Sequence, residues 1–273
     1  MKPHLKSIQS VIKFFSGLLI ISNALVSCSS NKSEQKEEQI RITEAPDSIY
    51  SDSLNNSVNG NVAINLLSTT PNSVILTGLP EHRLVTIYKT KVVKTSSGKK
   101  YIASYGSSES YYVGEDDEED SHFMPGIDII YGYNLLNIAH YDLQTEKLNY
   151  FFDHPALVKT LYYPCFEQDS LDNKPITRNY YLVSVYDEDT NHDTLINNKD
   201  LRRFYHFDAS CTSKTQIVPK DYSAIRSEYD SKNDVMYLFA RKDVNNNGTG
   251  DYDEPIHIFW LNLKSPAPAK QLY

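Results

Sequence analysis

The chain has few of the cysteines that cross-link small secreted folds, and it lacks several motifs of common catalytic sites. Its 273 residues include three cysteines, three methionines and one tryptophan. No cysteines are spaced Cys-x-x-Cys and no histidines are spaced His-x-x-x-His, so the usual zinc patterns are missing. There is also no Gly-x-Ser-x-Gly elbow and no phosphate-cradling Gly-x-x-x-x-Gly-Lys. These absences leave no support for a zinc site, a nucleotide-binding loop or a serine hydrolase of the elbow type.

Long hydrophobic runs are missing as well. Residues 1–27 carry three lysines and no acid, and their apolar run Phe14–Ile21 is too short to span a bilayer. With Leu25–Cys28 at its end, this segment resembles a lipoprotein signal peptide, so we predict that it is removed and that Cys28 is lipidated. The alternative is a plain secretory signal with an incidental cysteine.

The chain is acidic, and its predicted processing makes it more so. Loss of residues 1–27 removes three positive charges and changes the formal net charge from −8 to −11. Such a balance disfavours nucleic acid and anionic membrane surfaces as partners. We therefore expect the lipid on Cys28 to supply the only membrane contact.

Aromatic residues are scarce after the signal peptide. Between Ser29 and Gly60 the single aromatic is Tyr50, and the rest is dominated by Ser, Asn, Glu, Gln and Lys. This composition cannot bury enough apolar surface to offset chain ordering, so residues 28–61 are predicted to be a flexible tether. Lys36–Glu38 could belong to a surface-routing signal, but the preferred interpretation is a solvated charge cluster.

Residues 62–273 show the opposite composition, with short runs rich in Tyr, Phe, Ile and Val that are separated by turn signals. This pattern predicts an all-β fold. Strand runs recur in groups of four over about 50 residues, which is the size of one propeller blade. We predict a propeller-like array of about three four-stranded antiparallel blades, at 75–152, 153–218 and 219–273; a β-sandwich is the alternative. The first blade is expected to begin with strands at Arg83–Tyr88 and Lys100–Tyr105.

Two acidic loops carry the strongest chemical signal. In the second loop, oxygen-bearing side chains stand at positions 1, 3, 5, 9 and 12, position 6 is Gly248, and position 7 offers its backbone carbonyl. This is the ligand layout of a twelve-residue EF-hand calcium loop. The predicted ligands are Asp243, Asn245, Asn247, Thr249, Asp251 and Glu254.

The first loop repeats that layout 54 residues earlier, but with Thr194 at position 6 and an aspartate at position 12. Its predicted ligands are Asp189, Asn191, Asp193, Leu195, Asn197 and Asp200. The flanks of both loops are short aromatic and β-branched runs, so each loop should join two strands and not two helices. We expect calcium to bind the second loop more tightly, because Glu254 reaches further than Asp200 and Thr194 is strained in the turn. Calcium should stabilise the C-terminal blades without deciding the fold.

A family resemblance agrees with these patterns. The stretches Val183–Asp193 and Ala139–Leu148 are similar to uncharacterised Bacteroidetes-type lipoproteins, whose repeats resemble blades of the Tol-system periplasmic propeller. The resemblance covers about residues 80–273. It implies a bacterial outer-membrane location, facing the periplasm or the exterior, a propeller-like fold and bound calcium. It implies no activity.

Three classes of function remain at this point. The favoured one is a calcium-stabilised scaffold or interaction module of the cell envelope with a protein or glycan partner. A glycan or peptide binder comes second, and a hydrolase using carboxylates such as Asp187 and Asp189 comes third. Cys165 and Cys211 are expected to be free thiols, because their strands should be first and third in one blade and too far apart for a bridge.

Overall fold

The structure is a computed structural model that describes residues 38–41, 69–95, 97–104 and 124–273. Within these ranges all regular structure is β and all strand pairing is antiparallel, which confirms the predicted all-β class. The signal peptide, Cys28 and most of the predicted tether lie outside the described residues. In the described ranges no apolar helix reaches the length that crossing a membrane requires.

Eighteen strands are present in the described ranges. In chain order they are β1 (Gln39–Arg41), β2 (Thr69–Leu76), β3 (His82–Lys94), β4 (Lys100–Ser104), β5 (Ile127–Tyr131), β6 (Leu135–Asp142), β7 (Lys147–Tyr150), β8 (Leu157–Pro164), β9 (Asp169–Leu171), β10 (Lys174–Ile176), β11 (Tyr180–Tyr186), β12 (Leu195–Asn197), β13 (Arg203–Asp208), β14 (Lys214–Gln216), β15 (Tyr222–Asp230), β16 (Val235–Lys242), β17 (Ile256–Asn262) and β18 (Lys270–Gln271).

Three larger sheets contain most of these strands. The N-terminal sheet has the order β2-β3-β6-β7, the middle sheet β14-β13-β11-β8-β5, and the C-terminal sheet β15-β16-β17-β18. β5 falls by sequence in the predicted first blade, 75–152, but pairs with β8 of the middle sheet. The sheets are open, and none of the three closes on itself.

The first two strands of the N-terminal sheet differ from the prediction. The prediction names Arg83–Tyr88 and Lys100–Tyr105, but the first two strands are β2 and β3, and Arg83–Tyr88 is part of β3. β4 pairs with the far half of β3, Thr90–Lys94, beyond the part that pairs with β6. β2 contains Pro71, which usually argues against a strand. Here β2 is an edge strand, and a register shift between Pro71 and Val74 accommodates the proline.

The middle sheet is buried on both faces. Along β11, Tyr180 and Leu182 pack in a cluster with Met236 and Phe259 of the C-terminal sheet. The alternate residues of β11, among them Val183, pack in a second cluster with strands of the N-terminal sheet. Since successive side chains of a strand point to opposite faces, a strand between two layers is expected to be largely apolar on both faces. This explains why β11 is apolar or aromatic at every position but Ser184, which is buried as well.

The two described cysteines follow β8 and β13. β11 lies between these strands in the middle sheet, so the predicted first-and-third order is confirmed. Cys165 and Cys211 are both free thiols in the structure. Burial raises the pKa of Cys211, which keeps it protonated at neutral pH.

Part of the predicted flexible tether is ordered. Gln39–Arg41 forms β1, which pairs with β12 at the register Gln39↔Asn197, Ile40↔Ile196 and Arg41↔Leu195. Ile40 is 5% exposed and packs in a small cluster with Leu136, Leu157 and Ile196. The apolar contact of Ile40 therefore adds to the backbone pairing with β12 in placing this strand on the folded body.

Candidate metal centre

The two predicted calcium loops occupy corresponding places in neighbouring sheets. Loop 1 (189–200) connects β11 to β13, and loop 2 (243–254) connects β16 to β17. In each sheet these are neighbouring antiparallel strands. The prediction that each loop joins two strands is confirmed.

The carboxylate at position 1 organises the turn in both loops. One of its oxygens accepts a hydrogen bond from the backbone N–H of position 5, and the other accepts from the N–H of position 6. In loop 1 the distances are 3.0 Å from Asp193 N to Asp189 Oδ1 and 2.9 Å from Thr194 N to Asp189 Oδ2; in loop 2 they are 3.1 Å from Asn247 N to Asp243 Oδ1 and 2.9 Å from Gly248 N to Asp243 Oδ2.

Positions 3 and 5 follow the same rule, because each side-chain oxygen accepts from the backbone N–H two residues later. These contacts hold the turn between the first and the seventh positions. They are Asp193 N to Asn191 Oδ1 and Leu195 N to Asp193 Oδ1 in loop 1, and Asn247 N to Asn245 Oδ1 and Thr249 N to Asn247 Oδ1 in loop 2, at 2.9–3.0 Å.

The carboxylate at position 12 closes each loop by accepting from the backbone of positions 2 and 9. In loop 1 the donors to Asp200 are Thr190 N and Asn197 N, both at 2.8 Å. In loop 2 the donors to Glu254 are Val244 N at 2.8 Å and Asp251 N at 3.0 Å. The two loops therefore share one hydrogen-bond scheme, although their terminal acids differ in length.

Backbone strain separates the loops at position 6. Thr194 has φ of 70° and Gly248 has φ of 76°. Both lie in the left-handed region, which glycine adopts at little cost and a β-branched residue does not. The expected strain at Thr194 is thus present in the structure, and it belongs to loop 1 alone.

Burial separates them at position 12. Asp200 is 1% exposed and Asn197 beside it is also buried, while Asp251 and Glu254 are partly exposed. Burial raises the pKa of Asp200, and the nearby charge of Asp189 acts in the same direction against the backbone N–H donors that lower it. A cation in loop 1 would favour the ionised carboxylate by supplying the opposite charge.

The loops also contact each other. The Thr190 hydroxyl donates to the carbonyl oxygen of Gly248 and accepts from Leu201 N at 2.8 Å. A Cβ atom added to Gly248 would lie 1.8 Å from the carbonyl oxygen of Thr190. Gly248 is therefore required twice, for its left-handed backbone and for the close approach of loop 1. The sequence pattern assigns it only the first role.

The tether strand rests on loop 1, since β12 is formed by positions 7–9 of that loop. Glu38, just before β1, makes an ion pair with Lys159 and accepts from the backbone N–H of Asn134. Lys89 Nζ donates to the carbonyl oxygen of Gln39 at 3.2 Å. The interpretation of Glu38 as part of a solvated cluster is thus wrong; its side chain is largely buried because it has a lysine partner.

Some predicted ligands are brought together in loop 2. The side-chain amides of Asn245 and Asn247 both donate to Asp251 Oδ2, at 3.4 and 2.7 Å. In the described part of the chain, however, no three His, Cys, Asp or Glu side chains are close enough to form a metal-binding group. The EF-hand layout places Asn side chains and a backbone carbonyl among the carboxylates, so its ligand set is only partly acidic. The residue types fit calcium, which prefers oxygen ligands of this mixed kind.

Asp187, the acid considered for hydrolysis, has a different environment. It is buried, and its Oδ1 has no hydrogen-bond partner. Burial raises its pKa, although a hydrogen bond with Tyr205 and the charge of Lys214 lower it. Asp187 is not among the residues that line the cavity of about 460 Å³ between the middle and C-terminal sheets. A raised pKa alone is weak support for catalysis.

Comparison with known proteins adds no assignment. No protein-family model matches the sequence, and no curated protein is significantly similar to it. The function is therefore argued from the two loops and the surfaces around them.

Proposed function

We propose that the chain is a lipid-anchored, calcium-binding protein of the bacterial outer membrane that acts as a scaffold or interaction module. In this proposal its three sheets are consecutive blades of an open, propeller-like array. Loops 1 and 2 are the calcium sites, and Cys28 carries the lipid.

The observation that carries the calcium proposal is the hydrogen-bond scheme shared by the two loops. Single turns of this kind occur elsewhere in the chain, where Asp142, Asp208 and Asp230 each accept from a backbone N–H a few residues later. The two loops differ from these turns because a whole set of equivalent oxygens, at positions 1, 3, 5 and 12, is bonded to the same backbone N–H groups in both. In an EF-hand loop this scheme turns the remaining lone pairs inward, where calcium can be bound by six to eight oxygens. Glu254 and Asp200 would each offer carboxylate oxygens from the end of the loop.

Bound calcium would supply positive charge that offsets the mutual repulsion of the loop acids. Contacts between residues of the protein connect the two loops. Thr190 and Gly248 join the two loops, so an ion in either site would also restrain the connection between β11 and β13 or between β16 and β17. We infer that calcium stiffens the junction of the middle and C-terminal sheets.

The proposed scaffold role is supported by what surrounds these loops. The three sheets are stacked through two apolar clusters, and a propeller-like array of this kind offers loops and edges as binding surfaces. Of the alternatives, the hydrolase has only Asp187 in its favour. The binder is supported by a separate cavity between the middle and C-terminal sheets.

Isothermal titration of the full-length protein with calcium tests the metal proposal, and melting curves with and without calcium provide the second readout. We expect binding in the range of about 0.1–1 mM that is typical of extracellular calcium modules. Absence of both heat and a melting shift up to about 10 mM calcium would refute the proposal.

The anchor is tested separately at Cys28. Mass spectrometry of the membrane fraction should find lipid on Cys28, while Cys28→Ser should remain unprocessed. A wild-type protein that is soluble and carries no lipid would contradict the anchor without affecting the calcium proposal.

A further inference from the structure

A cavity of about 460 Å³ lies between the middle and C-terminal sheets. Its walls come mainly from β5 and β8 on one side and β15 on the other. Small-molecule sites in proteins typically enclose about 300–1,000 Å³. The cavity is therefore large enough for a small ligand.

A β-bulge shapes one wall. The register of β15 shifts between Ala224 and Arg226, which leaves Ile225 without a partner on β16. The guanidinium of Arg202 donates to the carbonyl oxygens of Ala224 and Ile225. Bulges re-aim side chains and often stand next to functional sites. Here the bulge lets Ile225, Arg226 and Ser227 all line the cavity.

The charge of the lining is positive in an acidic protein. Lys159, Arg202 and Arg226 line the cavity, and no Asp or Glu is among its lining residues. Lys159 is paired with Glu38, and Arg226 is paired with Glu228. Arg202 takes part in none of the ion pairs formed by the described residues, and its guanidinium donates to backbone carbonyl oxygens instead.

The uncharged part of the lining is rich in hydroxyl groups and contains an exposed ring. The hydroxyl groups belong to Tyr131, Thr160, Tyr162, Ser184 and Ser227. Tyr162 and Ser227 are 3.2 Å apart at their oxygens. Tyr131 is 52% exposed at the end of β5, where its ring can cover an incoming ligand.

We propose that this cavity binds a carboxylated sugar, with Arg226 and Arg202 facing the carboxylate and Tyr131 packing on the sugar ring. A sugar matches the hydroxyl-rich walls, and a carboxylate matches a lining that contains three cationic side chains and no acid. The ion pair between Lys159 and Glu38 shows that a carboxylate can be accommodated at this wall. None of the lining residues is a predicted calcium ligand.

The test is calorimetric titration of the full-length protein with a trisaccharide of glucuronic acid and with the neutral glucose trisaccharide. A calcium chelator is present throughout, because uronates themselves bind calcium. We expect the acidic sugar to bind at least about tenfold more tightly than the neutral one, which is the effect of one charge-assisted hydrogen bond. Two results would overturn the proposal: equal affinities for the two sugars, or no binding of the acidic sugar up to about 10 mM, a concentration above the dissociation constant expected for such a site.

Two variants locate the site and one serves as a control. Arg226→Gln, at an exposed position, should weaken binding of the acidic sugar about tenfold or more, and Tyr131→Ala should weaken binding of both sugars. Arg83→Gln removes a guanidinium that bonds to Pro80 and His82 in the N-terminal sheet and should bind like wild type. Unchanged binding by both cavity variants would overturn the assignment. Glu254→Gln, tested in the same titration, should bind the sugar normally, which separates this proposal from the calcium proposal.

Discussion

Loop 1 and loop 2 have the same hydrogen-bond scheme but are held in place in different ways. Loop 2 adopts its turn with Gly248 at the left-handed position, and its closing acid is partly exposed. Loop 1 adopts the same turn with a strained Thr194, a buried Asp200 and a strand from a distant part of the chain, β1, paired with its positions 7–9. The conformation of loop 2 is therefore determined mostly by its own residues, while that of loop 1 depends on tertiary contacts.

The most disruptive change should be Gly248→Ala. The new Cβ would meet the Thr190 carbonyl oxygen at 1.8 Å, in a backbone conformation that disfavours it. Left-handed strain and overpacking together should lower the free energy of unfolding by about 2–5 kcal/mol. Urea denaturation without calcium measures this loss.

Gly98→Ala is the matched control. Gly98 has φ of 79°, but nothing lies within 4 Å of a Cβ built there. It should therefore show only the backbone strain, about 1–2 kcal/mol. Equal losses for the two variants would mean that the contact between the loops contributes nothing.

The next largest effect should come from the closing acids. At about 2 mM calcium, sites of about 0.1–1 mM affinity would stabilise the fold by roughly 0.6–1.8 kcal/mol, which is a melting shift of about 1–7 °C. Glu254→Gln should remove the tighter site and most of that shift, while Asp200→Asn should leave the tighter site intact. Parallel calcium titrations decide this, and the reverse order of affinities would show that burial of Asp200 outweighs its shorter reach.

A smaller effect, and an increase in stability instead of a loss, is expected from a substitution at position 6 of loop 1. Thr194→Gly relieves left-handed strain but gains freedom in the unfolded chain, so the calcium-free fold should be stabilised by about 0.5–1 kcal/mol. Thr249→Gly, at a position without positive φ in loop 2, should destabilise by about the same amount. A loss of stability in Thr194→Gly would show that the Thr194 side chain contributes more than its backbone strain costs.

The smallest effect should come from weakening the docking of β1. Ile40→Ser places a hydroxyl among Leu136, Leu157 and Ile196, and should reduce calcium affinity of loop 1 by about two- to fivefold while loop 2 is unchanged. Hydrogen exchange should become faster at the amide of Ile196, which faces Ile40 of β1, because the amides of Leu195 and Asn197 donate to side chains within loop 1. Ser170→Ala, in the separate hairpin of β9 and β10, is a control that should leave both loops unaffected.

The sequence predicts the features that depend on residues close together in the chain. The runs that form β11, β16 and β17 are rich in β-branched and aromatic residues, and the spacing of acids and amides anticipates the turn of each loop. β2 was not predicted, because Pro71 and Asn72 resemble turn residues and only the edge position makes them tolerable. The sequence places Lys100–Tyr105 as the second strand of the first blade, whereas β4 pairs with the far half of β3. The apolar pattern of a short strand does not show which part of the long β3 it will pair with.

Long-range contacts could not be predicted. β1 and β12 are separated by more than 150 residues, and each is only three residues long, so no local pattern announces their pairing. The contact of Thr190 with Gly248 has the same character. Its only sequence signal is the 54-residue spacing, which shows that the loops are alike but does not show that they touch.

The docking of β1 sets a length scale for the whole protein. Ten residues, 29–38, separate Cys28 from β1, and at full extension they span no more than about 35 Å. If the chain joined the folded body only at β2, the 40 residues 29–68 would reach up to about 140 Å. With lipid on Cys28 as proposed, three paired residues at Gln39–Arg41 therefore confine the domain to a thin layer at the membrane surface, and their release would let it explore a distance about four times greater.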